Sequence, residues 1–181
     1  MTSDSARREE ILETAAAMFA SSGLRTSLRE IADQCGILPG SLYHHFDSKE
    51  AIIVELVRRY RDELDHVAKE AFDALHEPDQ RPVEERVIEL GRAIAACAVR
   101  HRAALLLTLY EPPTGAGEEL VDLARLAPTA IDAAMAEILQ AGLTAGGLRS
   151  GIELTLLAER LCQSMLHVGV GVFHRSHAPQ L

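Results

Sequence analysis

Residues 27–49 read SLREIADQCGILPGSLYHHFDSK, and the order of caps, apolar positions and turn residues in this stretch decides the fold. Ser27 and Glu30 stand in the S-x-x-E relation, in which a hydroxyl caps a helix start and the carboxylate three residues on returns the hydrogen bond. Leu28, Ile31, Ala32 and Cys35 then fall on one face at spacings of three and four, which predicts a short helix. Gly36 tolerates a left-handed backbone better than any other residue, so the helix is expected to stop there. After an apolar Ile37, Pro39 suits the first turn of a second helix, where a missing N–H costs nothing. In that helix of about seven residues, Leu42 and Phe46 lie four apart and face inward. Pro39, Gly40, Ser41, Tyr43, His44 and His45 are left toward a ligand or the rim. Helix, glycine turn, helix is an arrangement that reads DNA.

Working outward, Ile11, Leu12, Ala15, Ala16 and Phe19 form an apolar stripe that Ser21-Ser22-Gly23 ends, predicting a first helix over 6–22. Asp47-Ser48-Lys49-Glu50 repeats the capping arrangement, and Ile53, Val57, Tyr60, Leu64, Val67, Ala71 and Leu75 carry a helical stripe to the Glu77-Pro78 break. At about 1.5 Å per residue such a helix reaches roughly 42 Å, enough to join two domains. Beyond Pro82 the pattern stays helical at 83–101, 103–110, a pair around Pro128 within 117–144, and 152–174. Turn-rich stretches at 111–115 and 145–147 separate them, with no strand-like alternation and no internal repeat. The last helix carries Leu154, Leu157, Leu161, Met165, Val168 and Val172 as one stripe and further apolar residues outside it, the pattern of a subunit interface.

Composition bounds the partners. Of 181 residues, 48% are hydrophobic but only 4% aromatic, which suits an all-helical protein rich in Ala and Leu. No apolar run is long enough to span a bilayer, and residues 1–10 are polar, so a cytoplasmic location and no membrane association are expected. Cys35, Cys97 and Cys162 have neither metal-ligand spacing nor an even count and read as small buried hydrophobes. The net charge of −9 argues against nucleic acid as a partner, and the first 64 residues, with 8 basic and 11 acidic groups, do not reverse it. Yet residues 34–46 contain no acid at all and are flanked by Arg25, Arg29 and Lys49, so a local phosphate-binding surface is compatible with an acidic chain.

The ordered set Ile31-Ala32, Gly36-Ile37, Gly40-Ser41-Leu42-Tyr43, His45-Phe46 and Lys49 resembles the DNA-binding domain of TetR-family transcriptional repressors. The resemblance covers about the first third of the chain. It implies an all-α protein: an N-terminal three-helix helix-turn-helix DNA-binding domain (4–64, motif 27–46), joined by a long helix to a C-terminal helical ligand-binding and dimerisation domain (65–181). It implies a homodimer that binds palindromic double-stranded operator DNA and is released by a small-molecule effector. Ser41, Tyr43, His45 and Lys49 are the implied DNA contacts, with Arg29 reaching a phosphate and Ser27, Pro39, Gly40 and His44 completing the surface. Lys49 has a second argument, because the first turn of a helix already favours an anion. The run GILPGSLYHHFDSKE also resembles repressors of lipid and steroid breakdown that respond to acyl-coenzyme A compounds. Two departures stand out. Leu38 sits where a capping Ser or Thr is usual. Family members also place one more helix after the one at 152–174, so either the dimer interface is remodelled or the sequence stops short of the natural end.

In the second domain, Tyr60, His66, Cys97, His101, Tyr110, Met165 and His167 are polar or polarizable groups among apolar neighbours and are the candidates for lining an effector cavity. No metal or cofactor is expected. His44 and His45 point about 100° apart on a helix and cannot easily share an ion. No phosphate loop, HExxH or GxSxG occurs, so an enzyme is not expected. The competing readings are a non-catalytic helical protein-interaction module and, behind it, an enzyme in the C-terminal domain.

Overall fold

The computed structural model describes residues 3–76, 81–109, 117–125, 128–146, 148, 151 and 153–176, and every described regular element is helical. The helices are α1 (Ser3–Ser22), α2 (Leu28–Gln34), α3 (Pro39–His45), α4 (Lys49–His76), α5 (Val83–Arg100), α6 (Arg102–Leu109), α7 (Glu118–Arg125), α8 (Thr129–Thr144) and α9 (Leu154–Ser176). The 28-residue α4 follows the expected span, whereas α1 begins three residues before the predicted 6. The expected turns at 77–78 and 111–115, and Tyr110, lie outside the described residues.

The chain divides into two compact units, 1–60 with 101–126 and 61–100 with 127–181. A division near residue 64 alone does not describe this. The chain returns at 101, where α6 lies on α1 and the Arg102 guanidinium donates to the Ala20 carbonyl at 2.7 Å, 82 residues away in sequence. A contact of that separation leaves no periodic trace, which is why α6 and α7 were not expected in the first unit.

In the first unit, Ile11, Leu12, Ala15 and Phe19 of α1, Ile31 and Ala32 of α2, Leu42 of α3, Phe46, and Ile52, Ile53 and Val57 of α4 are buried. The α2–α3 turn is set by backbone chemistry. Gly36 takes φ +66°, its N–H donates to Asp33 and that of Ile37 donates to Ala32, closing the paired bonds of a Schellman motif. At α4, Ser48 Oγ accepts from the Ala51 N–H at 3.0 Å. The box predicted over 47–50 does not close. The Glu50 carboxylate instead accepts from the Gly117 N–H at 2.6 Å, tying the start of α7 to the start of α4. Arg58 of α4 pairs with Glu119 beside it.

The second unit packs α5, α8 and α9 against one another. Leu90, Gly91, Ile94, Cys97 and Ala98 of α5 are buried, as are Ile131, Ala134, Met135, Ile138, Leu139 and Gly142 of α8. The buried line of α9 is Ala158, Cys162 and Leu166, while Leu154, Leu157, Leu161 and Met165 are half-buried and Leu156 is exposed. The helix is thus rotated from the predicted stripe. Its small residues face inward because α9 approaches closely enough for Cys162 Sγ to reach the Ile131 carbonyl at 3.6 Å.

Candidate nucleic-acid interface

The interface begins with a firm platform. Ser27 caps α2 as expected: its Oγ accepts from the Glu30 N–H at 3.3 Å, and the Glu30 carboxylate accepts from the Ser27 N–H at 2.7 Å. The bond from the Ser27 backbone holds the Glu30 carboxyl below its ordinary range. Thr26, buried at the entry, donates to the Gly23 carbonyl at 3.0 Å and leaves no polar group unsatisfied there.

The short α3 is anchored from one side only. Leu42 is fully buried and Phe46 nearly so, and the Arg8 guanidinium stacks over the Phe46 ring at 4.5 Å. Arg8 also donates to Glu55 of α4, and Arg59 donates to Glu55 and, at 2.5 Å, to Glu9. This network holds α1, the end of α3 and α4 in one arrangement. The opposite side of α3 is open. Gly40, Ser41 and His44 are exposed, Tyr43 is 53% exposed, and Pro39 is half-buried as the first helical residue. A Cβ placed on Gly40 would have no neighbour within 4 Å. Arg29 is exposed on α2.

Two residues of the expected surface are already engaged. His45 is mostly covered, and its Nδ1 lies 3.4 Å from an Asp4 carboxylate oxygen at the start of α1. The Lys49 ammonium donates to the Leu24 carbonyl at 2.8 Å, so one of its three N–H groups fixes the α1–α2 loop. Leu38, which sequence reasoning treated only as a weak cap, is 77% exposed at the entry to α3 and makes no side-chain capping bond.

With this geometry in view, the relatives are informative. The model of bacterial regulatory proteins of the tetR family matches residues 11–56, which hold α2, α3 and their supports. The HTH-type transcriptional repressor KstR2 of Rhodococcus jostii is 57% identical over 61 residues, but that match spans only 30% of its length and 33% of this chain. Two solved structures extend the likeness. A probable transcriptional regulatory protein, RHA5900, is 30% identical with a TM-score of 0.69, over 90% of this chain and 85% of its own. The ketosteroid transcriptional regulator KstR2 of Mycobacterium tuberculosis is 31% identical with a TM-score of 0.72, over 91% of this chain and 82% of its own. The chain belongs to the tetR family of bacterial regulatory proteins.

In this tetR-family chain the side chains expected to line an effector cavity differ in their surroundings. Tyr60 is buried with its ring 6.0 Å from that of His101. Cys97 is fully buried, and burial, reinforced by the nearby Glu63 carboxylate, pushes its thiol up to about 12, far from a reactive thiolate. Met165 lies against Gly91. His66 and His167 are on the surface, His66 beside Glu70 at 3.2 Å and His167 against its own helix at the Gln163 carbonyl. Each stands one residue from a buried position, and one residue turns a helical side chain through about 100°, which carries both into solvent. A cavity of about 170 Å³ in the second unit is lined by other residues, with Val67, Ala71, Ala74, Leu90 and Ile138 as its apolar wall and Arg86 among its polar groups. The Arg86 guanidinium donates to the Ala74 carbonyl at 3.0 Å. No described helix is long and apolar enough to cross a membrane.

Proposed function

We propose that the protein is a transcriptional repressor that binds palindromic operator DNA as a homodimer, with α3 in the major groove, and releases it when a small hydrophobic effector binds the second unit. The observation that carries this reading is the one-sided anchoring of α3: Leu42 and Phe46 are buried while Gly40, Ser41, Tyr43 and His44 face solvent with no fold-keeping partner shown for them. Two such helices in a symmetric dimer would meet successive major grooves roughly 34–36 Å apart. Tyr43, Ser41 and His44 then supply base-edge and phosphate contacts, and Arg29 and Lys49 supply charge at the backbone. The half-buried and exposed leucines of α9 are suited to the partner subunit.

The effector class first to test is the acyl-coenzyme A compounds of lipid and steroid breakdown, since a relative alike across most of the chain is described as a ketosteroid regulator. The cavity of about 170 Å³ is smaller than the roughly 300–1,000 Å³ usual for a ligand site. A larger effector therefore enters only a conformer with displaced walls, and differential affinity for that conformer is what shifts an equilibrium, by about 1–3 kcal/mol of coupling in typical cases. The chain offers two continuous routes for such a shift: α4, shared by both units, and the step from α5 to α6, where Arg102 holds the end of α1.

The test is fluorescence anisotropy on duplex DNA from upstream of the protein's own gene. Wild-type protein is expected to bind as two chains per site with affinity that falls steeply with salt. Tyr43→Ala is expected to bind about 10–100-fold more weakly, the loss of one specific contact, with unchanged thermal unfolding. Wild-type protein without salt-sensitive affinity for that DNA removes the reading.

A further inference from the structure

Leu38 has no explanation within the fold. It is 77% exposed, more than any other large hydrophobic residue noted as exposed among those described. Its backbone alone starts α3: φ −69° and ψ 143° put it in the extended region, and its carbonyl accepts from the Ser41 N–H at 2.9 Å and the Leu42 N–H at 3.3 Å. A Ser, Thr, Asp or Asn in its place would keep that geometry and add a stabilising side-chain cap. Leucine forgoes the cap and leaves an apolar side chain in water.

Its neighbours state where it is displayed. The turn at Gly36 and Ile37 points the chain into α3, and Gly40, Ser41 and Tyr43 continue the same open surface. Nothing lies within 4 Å of a Cβ built on Gly40, so this surface is cleared for a close approach. In helix-turn-helix proteins the first residues of the second helix meet base edges. Phosphates and most of those edges are polar and offer a leucine nothing. The major groove carries one apolar group, the 5-methyl of thymine.

We propose that Leu38 reads that methyl, packing its isobutyl group against one thymine in each half-site and so specifying a T·A pair there. This rests on the reading of α3 as the DNA-binding helix. Cytosine at the same place lacks the methyl and presents an amino group, which the leucine would desolvate without a partner.

Uracil isolates the contact, because it keeps the pairing and the O4 acceptor of thymine and lacks only the methyl. Full-length wild-type protein is used to select its site from a pool of random-sequence duplexes, and each thymine of the selected site is then replaced by uracil in turn. At one position per half-site the wild type is expected to bind about fourfold more weakly to uracil, as the loss of one buried methyl requires. Leu38→Ser, which supplies the missing cap and so should unfold at a temperature no lower than wild type, is expected to bind thymine and uracil equally at that position. Leu38→Ala is expected to do the same. The inference is overturned if no thymine-to-uracil change weakens the wild type, or if Leu38→Ser retains the discrimination. A wild type that selects no sequence and shows no salt-sensitive affinity for any duplex overturns the DNA-binding reading as well, and is recognisable as that separate result.

Discussion

In the first unit the outward residues at the start and along the open side of α3 are ones the fold leaves alone: a Cβ on Gly40 meets nothing, and Leu38, Ser41, Tyr43 and His44 stand in solvent. In the second unit small residues are where helices touch. A Cβ on Gly142 would fall 2.6 Å from Val83 Cγ2 and 2.8 Å from its Cβ, and one on Gly91 would fall 2.6 Å from the Met165 methyl. Glycine thus means opposite things in the two regions. On α3 it clears space for something that arrives from outside. Between α5 and its neighbours α8 and α9 it lets helices of one chain approach, and interiors packed at that density tolerate little added volume.

The largest effect that would test this contrast is at Gly142. Its clash is with a β-branched residue near the backbone, which cannot swing away as the end of Met165 can. Gly142→Ala is expected to destabilise the protein by about 1–3 kcal/mol in urea unfolding, the usual cost of overpacking. An unchanged midpoint would show that α5 shifts freely and that the second unit is looser than its contacts indicate. Gly40→Ala should behave in the reverse sense. It gains about 0.5–1 kcal/mol of helix stability and is expected to bind DNA up to tenfold more weakly, because the methyl occupies the approach surface. A variant that is more stable and binds as wild type would mean that the glycine serves neither fold nor groove.

Legibility in the sequence followed the same division. The capping pair Ser27 and Glu30, the turn at Gly36 and the inward pair Leu42 and Phe46 are local, with partners within five residues, and the structure holds each where its spacing places it. What escaped was non-local. Arg8 over Phe46, Glu50 at Gly117 and Arg102 at Ala20 join residues 38, 67 and 82 positions apart, and no pattern of three and four reveals them. The exposure of two candidate cavity residues is non-local in the same sense. Periodicity assigns His66 and His167 to helices but not to the covered side of them, and both side chains lie in water. Leu38 carries a readable signal, an apolar side chain at a cap position, whose meaning depends on its exposure.

Acid offers the finest test of the comparison, because Glu9 and Glu55 of the first unit and Asp132 of the second are shifted in opposite directions. Hydrogen bonds from Arg59 to Glu9 and from Arg8 to Glu55 hold both carboxyls below their ordinary 4.5. A carboxylate depressed in this way stabilises the fold above its unfolded value, and that contribution is lost as pH falls through the folded one. With side chains between a quarter and two-fifths exposed, each pair is worth about 0.2–1 kcal/mol, so Arg59→Gln, which removes both of its pairs, should cost roughly 0.4–2 kcal/mol at pH 7 and progressively less below pH 4.5. Asp132 of α8 is the reverse case: burial, with the Glu159 charge beside it, raises its carboxyl above 3.8 against the opposing hydrogen bond from Cys162. Its charging costs stability from pH 3.8 upward, in full above the folded value, although its place in the first turn of α8 favours a negative charge by about 0.3–1 kcal/mol. The upward shift says that burial prevails. Asp132→Asn, which copies the protonated acid, is therefore expected to raise stability at pH 7 and to change nothing below pH 3.8. A loss of stability at pH 7 in urea unfolding would reverse that order and show the helix terminus, not the interior, setting the charge of Asp132.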